Sequence, residues 1–154
     1  MNDRPDIYFD HAATTPVDPR VLEAMLPYFS EEFGNPSSHM HSKGVPANQA
    51  LDESRATVAK LIGAQPEEII FTSGATEANN LAIRGYLEAN PDKGKHLIIS
   101  EIEHYSVINL CRKLATRGYE LTLLPVDENG LLQSEVLRDA LRDDTVLVSI
   151  QHAS

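Results

Sequence analysis

The stretch IIFTSGATEANNLAI, residues 69–83, begins as an apolar run typical of a β-strand and continues with the spacing of an amphipathic helix. Four small residues, Ser73-Gly74-Ala75-Thr76, form the turn between the two patterns. A strand that leads into a helix through a short turn is the repeating unit of an α/β sheet. This stretch therefore predicts the fold class, and it places a turn of small residues at the edge of the predicted sheet.

The rest of the chain repeats this alternation of strand and helix patterns. Runs rich in valine, isoleucine and leucine predict the strands EIIFT, HLIIS, YELTLLPV and TVLVSI. Helix patterns precede or separate them: PRVLEAMLPYF, PANQALDESRATVAKLIGA with Gly63 as its C-cap, ATEANNLAIRGYLEA, SVINLCRKLATRG and LQSEVLRDAL. Short apolar strands separated by helices favour parallel pairing. We therefore expect an α/β fold, with a mostly parallel sheet and flanking helices in a three-layer αβα arrangement.

Composition and charge exclude several classes of protein. The sequence has 154 residues, about the length of one domain, with 13 Lys and Arg against 23 Asp and Glu and a net charge of −10. Such an acidic chain without a basic run repels nucleic acids and anionic membrane surfaces, so neither is an expected partner. No apolar stretch approaches the roughly 20 residues that span a bilayer, and the start lacks a signal-peptide pattern. A single cysteine excludes an internal disulfide framework, and we expect a cytoplasmic protein.

The turn at residues 73–76 has the chemistry of an anion site. The first N–H groups of a helix have no partner within the helix, and the helix dipole adds partial positive charge there. Gly74 allows a ligand to approach the backbone, the amides of Ala75 and Thr76 point outwards, and the Thr76 hydroxyl adds a donor. A phosphate group would be held without any lysine or arginine. The alternative is that Ser73 acts only as a helix cap.

His104 follows the second predicted strand, in LIISEIEHYSVI. Because the carboxyl ends of parallel strands meet at one edge of a sheet, we expect His104 to lie near Thr76 and to share its ligand. The alternative is a histidine at a helix start whose polar atoms are satisfied by the local backbone. No metal site is predicted, because neither of two candidate groups has a recognised ligand spacing: Glu101, Glu103 and His104, or His39 and His41.

Cys111 is a candidate nucleophile only at first sight. Together with Val107, Leu110 and Leu114 it follows the i, i+3, i+4, i+7 spacing of a buried helix face. Apolar surroundings raise the pKa of a thiol and leave it inert. We therefore interpret Cys111 as a core residue.

Five stretches of the sequence are informative when they are considered together: YFDHAATTPVDPRV, FGNPSSHMHSKG, EIIFTSGATEANNLAI, HLIISEIEHYSV and DDTVLVSIQHAS. Together they resemble the NifS/IscS-type cysteine desulfurases, which belong to the class V branch of pyridoxal-phosphate enzymes. The resemblance runs the whole length of the chain but covers only the N-terminal part of the family. It implies that residues 46–154 are the first part of the large, cofactor-binding domain, and that residues 1–45 are an N-terminal segment with the first helix and an active-site loop.

The resemblance also implies roles for individual residues. In the family the Gly-Ala-Thr turn binds the cofactor phosphate, which assigns Ala75 and Thr76, and a histidine that stacks on the pyridine ring corresponds to His104. His104 is thereby the one candidate catalytic residue of the chain. Two loops lie near the active-site entrance in such enzymes, and the residues of this sequence that correspond to them are Asp10, Ala13, Thr14, Thr15, Asn35 and His41.

Several groups on which the family depends have no counterpart in this sequence. An Asn-rich stretch follows the last strand in the family, and here it would fall just beyond Ser154. No residue corresponds to the aspartate that pairs with the pyridine nitrogen, the lysine that holds the cofactor covalently, the loop cysteine that receives sulfur or the arginine that binds the substrate carboxylate. We therefore expect an incomplete domain, from a split enzyme or a truncated product, that is inactive alone.

The resemblance implies the following function for the complete enzyme. It would remove sulfur from L-cysteine with pyridoxal 5'-phosphate, giving alanine and an enzyme persulfide for iron–sulfur cluster assembly or other sulfur transfer. This chain would supply the phosphate- and ring-binding face. The implied partners are L-cysteine, a second copy or a companion C-terminal chain, and a sulfur-acceptor scaffold protein. Two alternatives stay open: another class V aminotransferase or lyase, and a non-catalytic scaffold subunit.

Overall fold

The computed structural model describes residues 7–153. The chain divides into two compact units, residues 1–70 and residues 71–154, and each is described by itself.

The first unit is helical. It contains α1 (Pro19–Met25), α2 (Pro27–Ser30), α3 (Gly44–Ile62) and a short 3₁₀ helix (Pro66–Glu68). The sequence pattern predicts one helix over residues 19–29, whereas the structure has two. Pro27 explains the break, because proline lacks an N–H and its ring clashes with the carbonyl four residues earlier.

Helix α3 ends where the sequence predicts. Gly63 caps it in the left-handed conformation, with φ 71°, and the N–H of this glycine donates to the carbonyl of Ala59. The chain then turns back through the 3₁₀ helix onto α3, where the Arg55 guanidinium donates to the carbonyl of Ile69. This side-chain bond ties the end of the unit to its longest helix.

The second unit is built on a parallel sheet. Its strands are β1 (His96–Ser100), β2 (Glu120–Leu124) and β3 (Thr145–Ser149), and its helices are α4 (Ala75–Ala89), α5 (Tyr105–Ala115) and α6 (Ser134–Ala140). The strand order is β2-β1-β3, and β1 pairs in parallel with both neighbours. The predicted parallel α/β sheet with flanking helices is confirmed.

The strand order fixes where the helices lie. The connection from β1 to β2 runs through α5 in one direction across the sheet, and the connection from β2 to β3 runs through α6 in the other. Parallel crossovers are right-handed in nearly all proteins, which puts these two helices on opposite faces of the sheet. The second unit is therefore built as helix, sheet and helix layers.

The core lies between β1 and the helices α4 and α5. All five residues of β1 are buried, and the strand contributes Leu97 and Ile99 to the core cluster. Burial of such a side chain contributes roughly 1.5–3 kcal/mol. Cys111 belongs to the same cluster with 0% of its surface exposed. Burial raises the pKa of its thiol to about 11, so its interpretation as a core residue is confirmed.

The predicted strand EIIFT is wrong. Residues 69–72 form no strand in the structure, and Glu68 ends the 3₁₀ helix. A strand exists only when a neighbour pairs with it, and both edges of β1 are already taken by β2 and β3. Ile70 is 66% exposed. The apolar pattern is therefore real, but no strand in the described part of the chain accepts this segment.

Among residues 7–153, no helix is both long enough and apolar enough to cross a lipid bilayer.

Candidate functional site

The N-terminus of α4 is open. Gly74 occupies the cap position and offers no side chain to the helix, and the first helical bond runs from the N–H of Ala78 to the Gly74 carbonyl at 3.1 Å. The amides of Ala75 and Thr76 and the Thr76 hydroxyl therefore have no hydrogen-bond partner within residues 7–153. A Cβ placed on Gly74 would meet no atom within 4 Å. The space outside this turn can admit a ligand.

Ser73 does not cap α4, so the capping alternative is wrong. Its hydroxyl donates to Oε2 of Glu77 at 2.7 Å, and its backbone N–H donates to the same oxygen at 2.6 Å. These two bonds hold the pKa of the Glu77 carboxyl below its usual value, with the backbone bond as the larger cause. Glu77 thus holds the residue before the N-cap of α4 in place. Its carboxylate does not accept from the amides of Ala75 and Thr76.

His104 is the N-cap of α5. Its Nδ1 accepts a hydrogen bond from the backbone N–H of Ser106 at 3.1 Å, and the Ser106 hydroxyl lies 2.9 Å from the same nitrogen. The alternative, in which the local backbone satisfies this histidine, is confirmed for Nδ1. The side chain is nevertheless exposed, and Nε2 has no partner within the described residues. One ring nitrogen and the ring faces remain for a ligand.

Thr76 and His104 line the same cleft between α4 and α5. The cleft has a volume of about 500 Å³. Its polar lining consists of Thr76, Asn80, Arg84, His104, Tyr105, Ser106, Asn109, Lys113 and Arg117. The structure therefore brings together the two residues that the sequence predicts to share a ligand, and Ala75 lies beside Thr76 as the first residue of α4.

Arg84, Lys113 and Arg117 were missed by the sequence analysis, which expects an anion site without cations. They carry positive charge at a cleft whose lining contains no carboxylate, in a chain with a net charge of −10. The sequence did contain a signal for Arg84. It follows Thr76 by eight residues, which are two i, i+4 steps along one face of α4. Using it would have required knowing that α4 packs beside α5.

The predicted entrance residues lie in the first unit. Ala13 and Thr14 are in a turn in which both backbone N–H groups donate to the carbonyl of Asp10, at 3.1 and 3.4 Å. The Asn35 side chain accepts from the backbone N–H two residues further on at 2.9 Å. The carbonyl of His41 accepts from the first residue of α3. These are turn-forming contacts, and an entrance role for the four residues stays a prediction.

The acidic residues near His104 have structural partners. Glu101 accepts from the backbone N–H of Val126 at 3.1 Å. Glu103 is 7% exposed and accepts from the hydroxyl of Ser100 and from the backbone N–H of Gln151. Within residues 7–153 no group of three or more His, Cys, Asp or Glu side chains is arranged to hold a metal ion.

Comparison with known proteins gives a consistent result. Residues 7–154 match the family model described as Aminotransferase class-V. The chain is 51% identical over 147 residues to cysteine desulfurase IscS 1 of Archaeoglobus fulgidus, which covers 96% of this chain and 38% of that protein. It is 50% identical over 154 residues to cysteine desulfurase IscS of Neisseria meningitidis, which covers 100% of this chain and 38% of that protein. The chain thus spans a little over a third of the length of these curated relatives.

Solved structures agree with the sequence matches. A structure described as a NifS-like protein superposes with a TM-score of 0.88 at 39% identity, covering 94% of this chain and 39% of that one. A structure described as SspA in complex with cysteine gives a TM-score of 0.86 at 42% identity, covering 94% of this chain and 42% of that one. The apo cysteine desulfurase of Thermococcus onnurineus NA1 gives a TM-score of 0.85 at 32% identity, covering 96% and 37% of the two chains.

Proposed function

The chain belongs to the class V aminotransferase family, and from this membership we propose that it forms the cofactor-binding face of a cysteine desulfurase dependent on pyridoxal 5'-phosphate. The observation that carries the proposal is the position of Thr76 and His104 in one cleft beside the open N-terminus of α4. The identity of 50% over the whole chain to a cysteine desulfurase supports this reaction over other reactions of the family.

The residues present fit the cofactor. A phosphate group needs several donors and no nearby unpaired carboxylate. The free amides of Ala75 and Thr76 and the Thr76 hydroxyl supply the donors, and the Glu77 carboxylate is occupied by Ser73. The exposed ring of His104 in the same cleft suits an aromatic ligand. When bound, pyridoxal phosphate supplies an electron sink that weakens bonds at the α-carbon of an amino acid.

The contribution of this chain is binding and orientation. Thr76 and the α4 amides hold the phosphate, and the His104 ring sets the plane of the pyridine. Cys111 cannot accept sulfur from the substrate, because it is fully buried and its pKa is raised to about 11. The lysine that holds the cofactor covalently and the thiol that takes the sulfur are assigned to no residue of this sequence.

The partners follow from the proposed reaction. L-cysteine is the proposed substrate, and a related protein has been solved in complex with cysteine. A second copy or a companion C-terminal chain, and a sulfur-acceptor scaffold protein, are the proposed protein partners. The cytoplasm is the proposed compartment, since a single buried cysteine suits a reducing environment.

The test is a calorimetric titration of the purified protein with pyridoxamine 5'-phosphate and, separately, with pyridoxamine. These ligands are chosen because they lack the aldehyde and cannot react with surface lysines. We expect saturable binding of the phosphate form and binding of pyridoxamine that is weaker by at least tenfold. Equal affinity for the two ligands, or no binding of either, would remove the phosphate-site assignment.

A further inference from the structure

A chain of hydrogen bonds links α4 to His104. The Asn79 side-chain amide donates to the Ser106 hydroxyl oxygen at 2.8 Å, and that oxygen lies 2.9 Å from Nδ1 of His104. The backbone N–H of Ser106 donates to the same Nδ1 at 3.1 Å. Ser106 is buried and Asn79 is half-buried, so these bonds are shielded from competing water.

The donors in this chain fix its direction. A backbone N–H can only donate, so Nδ1 of His104 must accept and cannot carry a proton. The amide nitrogen of Asn79 can also only donate, so the Ser106 oxygen accepts from it and turns its own proton towards Nδ1. The two side-chain bonds then run from α4 through the Ser106 hydroxyl to the imidazole, and the Ser106 backbone N–H donates to the same ring nitrogen. The proton of the neutral ring is left on Nε2.

We infer that Ser106 and Asn79 are positioning residues for His104. Ser106 locks the ring in the Nε2–H tautomer through its backbone N–H and its hydroxyl, and Asn79 keeps the hydroxyl proton directed at Nδ1, which leaves Nε2–H as the free polar group of the ring. Nε2 has no partner among the described residues, and His104 lines the cleft with Thr76. The cleft therefore offers a ligand an imidazole donor in addition to the donors of α4. Oxygen anions are the chemical class that matches such a set.

This inference rests on the proposed function only for the identity of the ligand. The tautomer is a property of the protein without ligand, so it can be tested separately from cofactor binding. A role confined to stability would leave the signals of the two ring nitrogens unchanged. These signals are therefore the informative measurement.

Asn79→Asp should break the side-chain part of this chain. A carboxylate only accepts, so Asp at this position takes the Ser106 hydroxyl proton, and Nδ1 of His104 keeps only the backbone N–H of Ser106 as a donor. We expect the ring to stay in the Nε2–H form, because that backbone N–H still requires Nδ1 to accept, and the ¹⁵N signal of Nδ1 to move towards that of a nitrogen without a hydroxyl donor. Asn80→Asp is the matched control, because it adds the same charge one residue along, on a side chain whose amide donates to the Thr76 carbonyl rather than to Ser106.

The experiment is a long-range proton–nitrogen spectrum of the ¹⁵N-histidine-labelled protein, recorded where the imidazole is neutral and assigned by loss of the signal in His104→Gln. The expected result is an Nε2–H pattern in all three proteins, with the Nδ1 signal of Asn80→Asp at its wild-type position and the Nδ1 signal of Asn79→Asp shifted. An Nδ1 signal that does not move in Asn79→Asp would overturn the role of Asn79. An Nδ1–H pattern in the wild-type protein would overturn the inference without any variant. The same shift in both Asp variants would also overturn it, since the effect would then come from charge alone.

Discussion

At the scale of single residues, Thr76 and His104 meet for a reason that differs from the one expected. From the sequence we expect two parallel strands to bring them to a shared edge of the sheet, yet the segment before Thr76 is not a strand. The two residues come together because α4 packs beside α5 and Asn79 bonds to Ser106. The residue types of the site could be read from the sequence, whereas Arg84 could not, because its position depends on the packing of two helices.

Thr76→Val should weaken the binding of pyridoxamine 5'-phosphate by about ten- to a hundred-fold. The loss of one hydrogen bond to a charged group is worth roughly 1.5–3 kcal/mol. Pyridoxamine affinity should not change, and neither should thermal stability, because the Thr76 hydroxyl has no partner within residues 7–153. Calorimetric titration of both ligands measures the effect. Thr57→Val is the control, since this hydroxyl bonds to the carbonyl of Glu53 within α3 and neither residue lines the cleft. An equal loss for both ligands would contradict the assignment.

His96 should make stability depend on pH. The ring is 1% exposed and bridges two strands, with Nδ1 2.8 Å from Thr145 Oγ1 and Nε2 2.8 Å from Thr122 Oγ1. Burial, followed by the charge of Arg142, lowers its pKa below the ordinary value of 6.5. A histidine whose pKa is lowered by folding stabilises the native state above its unfolded pKa. That stability is lost as the pH falls below about 6.5 towards the folded pKa.

The measurement is the melting temperature of the wild-type protein and of His96→Gln across this pH range. The melting temperature of the wild-type protein should fall as the pH falls through this range. The melting temperature of His96→Gln should be lower than that of the wild-type protein at the start of the range and should fall less across it. Parallel curves for the two proteins would show that His96 does not carry the effect.

At the scale of elements, neighbouring residues were sufficient to predict a buried strand and a helix end. They were not sufficient to predict which segments pair in the sheet. HLIIS is a strand in the structure and Gly63 is a helix cap, because each is specified by a few adjacent residues. EIIFT has the same composition as a strand, but pairing is a property of its neighbours. The break at Pro27 was visible in the sequence and was outweighed by the helical spacing around it.

Replacing each of two glycines with alanine should change the free energy of unfolding in opposite directions. Gly63 has φ 71°, which a residue with a Cβ adopts at a cost of roughly 1–2 kcal/mol, so Gly63→Ala should destabilise the protein. Gly85 lies inside α4, and alanine there should stabilise by up to about 1 kcal/mol. A Cβ at either position meets nothing within 4 Å, so steric contact does not confuse the comparison. Urea denaturation measures both variants, and effects of the same sign would contradict these backbone assignments.

At the scale of the whole molecule, the distribution of apolar surface predicts association. Several large apolar side chains of residues 7–70 are strongly exposed, including Phe9 at 89%, Phe29 at 72%, Met40 at 97% and Leu61 at 85%. A contiguous apolar patch built from such residues marks an interaction surface. We expect the purified protein to self-associate in size-exclusion chromatography with light scattering. A monodisperse monomer that unfolds cooperatively would contradict this expectation.

We propose that the N-terminus of α4 and His104 together bind the phosphorylated ring of the cofactor. The most direct test is a proton–nitrogen NMR titration of the ¹⁵N-labelled protein with pyridoxamine 5'-phosphate. We predict saturable shifts that are largest at the backbone amides of Ala75 and Thr76, which have no partner at the start of α4, together with a shift of the His104 ring signals. Saturable shifts centred elsewhere in the protein, with these three residues unchanged, would contradict it.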